Sequence, residues 1–201
     1  MRASIRCRID NRVANIRTPR ASWVEAGLQA LATGGPEAVR VEAIAGQLGV
    51  TKGGFYWHFT DRSALLEEML DSWEQAGAED IIALVESNPA GPRAKLLQLI
   101  DVVRSSDGLA VELAVRDWAR RDPAVAVRLH RVDDRRMDYL RSLFGAFCED
   151  DEDVEARSML LFSLYIGSHF VAARHDDRTR AEVVRLAAQR LVEESWDRRS
   201  D

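Results

Sequence analysis

The stretch GVTKGGFYWHFTDRSALL, residues 49–66, sets five ring side chains in a row, Phe55 to Phe59, directly behind two glycines. A core needs only one face of a helix, so at about 100° per residue only some of these rings can point inward. Winding residues 51–59 as a helix brings Phe55 and Phe59 together on an inner face, with His58 at its edge. Gly53, Gly54, Tyr56 and Trp57 then face outward. Burial does not explain that face, because a helical glycine costs about 1 kcal/mol relative to alanine and an exposed ring gains nothing. Contact with a partner does. Glycines let the helix axis come close, and the Tyr56 hydroxyl, the Trp57 indole N–H and Lys52 can donate to phosphates or base edges. The helix N-terminus adds its positive dipole and free amides, with the Thr51 hydroxyl alongside.

Working outward, Thr18-Pro19 reads as a helix start with Thr18 as cap, and Trp23, Gly27, Ala30 and Leu31 trace one face before Gly34-Gly35-Pro36 stops the helix. A second helix over 41–48 turns Ile44, Ala45 and Leu48 inward and ends at Gly49, which can take the left-handed conformation of a tight turn. Thr51 caps a third helix running to about residue 59. Thr60 or Asp61 caps a fourth that carries Leu65, Leu66, Met69, Leu70 and Trp73. Helix, glycine turn and second helix presenting such a face make a helix-turn-helix.

The remaining chain also recurs at spacings of three and four, predicting helices near 76–87, 92–105, 108–120, 123–148, 153–174 and 179–197. Breakers such as Asn88-Pro89-Ala90-Gly91-Pro92 and Asp122-Pro123 separate them, and the acidic run 149–153 ends one helix and caps the next through Asp153. The expected fold class is all-α, about nine helices, with a three-helix head on a larger helical body.

With 201 residues, 46% hydrophobic and 30% charged, the composition is that of an ordinary globular chain. No apolar run approaches the roughly 18 residues that span a bilayer, and the basic N-terminus lacks the apolar core of a secretory signal. A cytoplasmic protein with no membrane partner is expected. Cys7 and Cys148 stand in unlike contexts and read as free thiols. The net charge of −5 is unevenly distributed: residues 1–58 hold eight Arg/Lys against four acids, and the remainder 20 against 29. A polyanion would meet the basic head, and the acidic body would repel it.

Enzyme chemistry finds no support. Ser168 and His169 are adjacent, so on a helix they point about 100° apart and cannot form a nucleophile–base pair. There is no Gly-rich phosphate loop, HExxH or GxSxG, and acid pairs such as Glu67-Glu68 and Asp133-Asp134 suit solvated helix faces. No metal and no cofactor are expected.

VEAIAGQLGVTKGGFYWHFTDRSALL, residues 41–66, resembles the DNA-binding signature of the tetracycline-repressor (TetR) family of bacterial transcription regulators. That pattern runs hydrophobic-x-x-Ile-Ala, Gly-Val-Ser/Thr-x-Gly, then Tyr-x-His-Phe, a basic residue and Leu-Leu. The resemblance implies that Thr51, Lys52, Gly53, Tyr56 and His58 meet phosphates and bases and that Arg62 meets a phosphate, while Trp57 is a DNA-facing candidate from its place on the outward face. Two positions depart from the pattern. Arg40 replaces the usual Thr or Ser cap of the second helix and can itself reach a phosphate. Gly54 stands where many members carry a base-reading side chain, which shifts weight onto DNA shape.

The implied organisation is a basic, flexible arm at 1–17, a DNA-binding domain at 18–62, and an effector-binding and dimerisation domain at 63–201. Ligand-facing candidates are Trp73, Trp118, Met137, Tyr139, Phe144, Phe147, Tyr165 and His169. No cluster of acids or bases dominates that set, which suggests a moderately hydrophobic effector. Leu160, Leu164, Gly167, Ser168, Val171, Val183, Ala187 and Leu191 suit a dimer interface, two helices from each chain forming a four-helix bundle. The implied function is a homodimeric repressor on a palindromic double-stranded DNA operator, released by a small-molecule effector. The alternative is a helical small-molecule-binding or protein-interaction module without specific DNA binding.

Overall fold

Two glycines and a proline divide the first helix, α1 (Arg20–Ala38), whose backbone leaves helical geometry at Gly34 and Gly35 and resumes through Pro36. The computed structural model describes residues 18–105 and 108–193. The expected arm at 1–17, Cys7 and the expected end of the last helix at 197 lie outside the described residues. Pro19, not Thr18, occupies the position before α1, with no side-chain cap. Thr18 is engaged elsewhere: its carbonyl accepts from His58 Nε2 at 2.9 Å.

Helix α2 (Val41–Gln47) ends at a tight turn in which Gly49 takes φ 68°. That value is in the left-handed region, where a Cβ is penalised. Helix α3 (Lys52–Phe55) is a single turn and not the run to residue 59 expected from the sequence. After Phe55 the chain tightens, His58 N donating to Phe55 O at 2.9 Å. The His58 carbonyl accepts from the Arg20 guanidinium, which fastens this tightened segment to α1. Helix α4 (Arg62–Glu74) begins at Asp61, whose side chain accepts from Ala64 N at 2.9 Å. It continues through a π-helical turn (Gln75–Glu79) into α5 (Asp80–Glu86) as one rod.

Helices α6 (Pro92–Ser105), α7 (Leu109–Ala119), α8 (Pro123–Gly145), α9 (Asp151–Gly167) and α10 (Arg180–Val192) complete an all-helical chain with no strand among the described residues. Asp122 caps α8 in front of Pro123, the position where a missing N–H costs nothing. Asp150, not Asp153, caps α9. Asp153 instead pairs with Arg157 one turn on, at 2.8 Å. Thr179 and Glu182 form a reciprocal capping box on α10.

Two cores result. The first joins Trp23 and Leu31 of α1, Ile44 of α2, Phe55 of α3 and Met69 of α4 to Val115 and Trp118 of α7 and to Val125 and Val132 of α8. The head therefore shares its interior with the body. The second gathers Val85, Leu96, Leu140, Phe144, Leu161 and Val192. Trp23 is fully buried in the first core and meets Phe55 edge-on at 5.4 Å. Trp23→Ala is expected to lower stability by about 3 to 5 kcal/mol in urea denaturation, as for other buried Trp truncations. A loss below about 1 kcal/mol, the range of ordinary surface changes, would show that this contact does not hold the head together.

Candidate nucleic-acid interface and cavity

The aromatic row sorts into inner and outer rings. Phe55 is buried under Trp23 and stacks on Phe59 at 5.1 Å, and the Arg20 guanidinium covers Phe59 at 4.4 Å while bonding to Glu68. Tyr56 and Trp57 lie outside, 56% and 71% exposed. Thr51, Lys52 and Gly53 are exposed beside them. Lys52 forms an ion pair with Glu42 of α2. That hydrogen bond raises the Lys52 ammonium above its ordinary value and lowers the Glu42 carboxyl below its own. The outer surface is thus an aromatic pair flanked by a lysine whose charge is partly masked by its neighbour.

Other expected contact residues are placed differently. Gly54 is half-buried, and a Cβ there would meet Trp23 Cζ2 at 3.7 Å, so it belongs to the inner side and not to the open face. His58 is held on Thr18. Arg62 donates to Val39 O at 2.6 Å and to Pro36 O, fastening the start of α4 to the end of α1. Arg40 is exposed at the start of α2 and its side chain makes no capping bond.

A cavity of about 690 Å³ lies among α4, the π turn and helices α5 to α10. Of the eight ligand-facing candidates, Trp73, Tyr139, Tyr165 and His169 line it. Trp118 packs instead in the core shared with the head, and Met137 and Phe144 in the second core. Phe147 lies under the Arg93 guanidinium at 4.2 Å. These four sit where aromatic and thioether side chains at helical spacing simply fill an interior. Tyr139 gives its hydroxyl to Glu86 at 2.7 Å, and burial with that bond pushes its ionisation upward. His169 meets Tyr165 edge-on at 6.5 Å, and desolvation together with the Arg180 charge pulls it below its ordinary value, so it is neutral near pH 7.

The sequence reading missed the polar wall of the cavity. Glu112 of α7 is only 2% exposed. It accepts from Trp73 Nε1 at 3.0 Å, from Arg116 Nε at 2.7 Å, and from both terminal nitrogens of Arg136 at 2.9 and 2.8 Å. Arg136 Nε also donates to Gly77 O in the π turn at 3.0 Å. A Cβ on Gly77 would come within 2.7 Å of Arg136, so glycine permits that approach. Arg116 in turn forks onto Asp133 at 2.9 and 2.6 Å. A signal existed. Glu112 precedes the buried Val115 by three residues, and Arg136 lies four from both buried Val132 and Leu140, putting both charges on inner faces.

The dimer candidates divide as well. Leu160 and Val171 are about half exposed, as are neighbouring Met159 and, more strongly, Phe170. Leu164 and Ser168 line the cavity. Gly167, Val183, Ala187 and Leu191 are half-buried. Helix α9 ends at Gly167 and not near 174, so Val171 sits in the following loop, where its carbonyl accepts from Arg180 at 2.6 Å. Cys148 is a free, half-buried thiol. No group of described residues could hold a metal ion, and none of their helices is long and apolar enough to cross a membrane.

Residues 24–69 match the family model of bacterial regulatory proteins, tetR family. No curated protein matches the chain. Solved structures share the fold over most of the chain. A TetR-family transcriptional regulator from Streptomyces coelicolor is 19% identical, with a TM-score of 0.68 over 86% of this chain and 93% of that one. A protein from Saccharomonospora viridis, solved in complex with choline, is 18% identical with a TM-score of 0.70 over 86% and 94%. A TetR transcription regulator from Haloarcula marismortui is 20% identical with a TM-score of 0.65 over 86% and 95%. At these identities the likeness is one of fold.

Burial alone would raise the Glu112 carboxyl, but the bonds and charge of Arg136, with Arg116 and Trp73, outweigh it and hold the group below its ordinary value of 4.5. A carboxyl depressed in the folded state stabilises above its unfolded value, and that contribution fades as pH falls through the folded one. Glu112→Gln should therefore cost about 3 to 5 kcal/mol near neutral pH, since it removes the most buried acid of the cluster and leaves Arg116 and Arg136 to share Asp133 as counter-charge. In urea denaturation at a series of pH values, the gap between wild type and variant should narrow below pH 4.5. A gap that is small, or constant down to strongly acid pH, would contradict the assignment.

Proposed function

Given a TetR-family regulator fold with that family's DNA-binding domain at its head, we propose that this chain is a sequence-specific transcriptional repressor. It acts as a homodimer on a palindromic operator in the cytoplasm and releases DNA when a small molecule fills the cavity. The observation that carries the reading is the outward surface at the end of α3: Tyr56 and Trp57 exposed just after its last residue, the buried Phe55, with Lys52 beside them. Such an exposed polar and aromatic surface suits phosphates and base edges. In this reading residues 18–62 serve DNA and residues 63–201 serve the effector and the dimer. Arg40 and Thr51 add backbone contacts.

Gly53 lets α3 approach the groove, and shape readout adds to the contacts of Lys52, Tyr56 and Trp57 because the glycines of α3 carry no base-reading side chain. His58 and Arg62 act by fixing the motif's geometry through the bonds they make to main-chain carbonyls. The exposed Met159, Leu160, Phe170 and Val171 support an apolar dimer contact around the end of α9. The cavity supports an effector site, and the choline held by the Saccharomonospora viridis protein is a precedent for a ligand in a chain of this fold. Ligand and DNA are coupled by population shift: a filled cavity favours a conformer whose recognition helices no longer match successive major grooves.

The Lys52–Glu42 pair yields a two-sided test. Lys52→Ala should weaken duplex binding and flatten the slope of log affinity against log salt by about 0.9 for each phosphate that is no longer neutralised. Glu42→Gln frees the lysine and removes a negative charge from the DNA-facing side, so it should strengthen binding at low salt by a few-fold. Fluorescence anisotropy on a labelled duplex reads both. Equal affinities and slopes for all three proteins would refute the proposed face.

A further inference from the structure

The cavity walls are mostly hydrocarbon, with Ile81, Ile100, Leu140, Leu161 and Val184 among them. Their charges are not balanced. One acid, Glu112, faces the space together with Arg104, Arg136 and Arg180. A carboxylate offers about four lone-pair sites. On Glu112 all four are taken: Oε1 by Arg116 and Arg136, Oε2 by Arg136 and Trp73. No acceptor direction is left for an ammonium or quaternary-amine ligand. Arg136 is equally committed, to Glu112 and Gly77 O. Arg104 lies 3.6 Å from Asp101.

Arg180 is different. It gives one N–H to Val171 O, and no carboxylate of a described residue pairs with it. The neighbouring His169 ring and the Tyr165 hydroxyl also line the cavity and make no hydrogen bond among the described residues. An unmatched guanidinium beside two uncharged polar groups, at one edge of an apolar space, is a receptor for a single anionic head with a hydrocarbon body.

We propose that the cavity takes an apolar monocarboxylate, its carboxylate on Arg180 with Tyr165 and His169 alongside and its hydrocarbon part against Ile81, Ile100 and Leu161. The inference rests on the cavity being the effector site, and it makes that ligand unlike choline, a cation for which this wall has no free acid. Arg180 stands at the exposed start of α10, outside both cores, so its replacement leaves the fold intact.

The test is calorimetric titration of the full chain with decanoate, 1-decanol and decyltrimethylammonium below their micellar concentrations, repeated on Arg180→Gln and Arg180→Lys, with circular dichroism melts on each protein. The expected result is decanoate binding at least about tenfold more tightly than 1-decanol, with the cation weakest. Arg180→Gln should abolish the preference for decanoate without changing 1-decanol, and Arg180→Lys should keep much of it. If 1-decanol or the cation binds as tightly as decanoate, or if Arg180→Gln weakens all three probes alike, the inference falls while the cavity remains an effector site. If none of the three binds, the effector-site reading falls with it.

Discussion

A single buried carboxylate, Glu112, holds three helices and the π turn in one arrangement. It takes the indole N–H of Trp73 from α4 and guanidinium groups from α7 and α8, and Arg136 passes the connection on to Gly77. Taking a charge out of water is costly, and only complete pairing with good geometry offsets it. Such a cluster tolerates few alternative positions, because each displaced partner leaves an unsatisfied charge in the interior. It is therefore suited to fix α4 in one of a small number of states. Glu112, Trp73, Arg136 and Gly77 also line the cavity, so a molecule occupying that space would press on the element that leads directly to the head.

The head follows α4 rigidly. Phe55 is clamped between Trp23 and Phe59, Arg62 is tied to the end of α1, and Arg20 links α4 to the turn after α3 through Glu68 and the His58 carbonyl. Val115 and Trp118 of α7 complete the same core, so no flexible linker separates head from body. On the outer side of α4, the mostly buried Arg128 of α8 reaches Glu67, Asp71 and Glu74, and Arg135 reaches Glu79 at 3.0 Å. These pairs align α4 along α8. The position of Tyr56 and Trp57 is thus set by the body, which suits the proposed ligand-controlled reading of DNA.

Local signals in the sequence located most helices because they act within a turn or two. Gly49 marked the tight turn, Thr60-Asp61 marked a cap, Asp122-Pro123 marked a break between helices, and the spacing of Phe55 and Phe59 separated buried from exposed rings. What was not legible depends on distant partners. The segment after α3, for example, is held by Arg20, far back in the chain, which donates to the His58 carbonyl. The cap of α9 moved from Asp153 to Asp150 because Arg157 claims Asp153. Glu112 and Arg136 look like many other charges in a chain that is 30% charged, and only their register with Val115, Val132 and Leu140 sets them apart. Among aromatics, Trp73 and Tyr165 differ from Trp118 and Phe144 by which side of a helix borders empty space, a property of assembly that periodicity does not encode.

The central claim, that two copies of the Tyr56–Trp57 face read duplex DNA together, is tested most directly by selecting binding sites for the purified chain from randomised duplex DNA. The expected result is enrichment of a palindrome whose half-sites lie about one helical turn apart, bound by an even number of chains and lost on Tyr56→Ala. Recovery of no sequence above bulk duplex, or of one that Tyr56→Ala binds equally well, would contradict it.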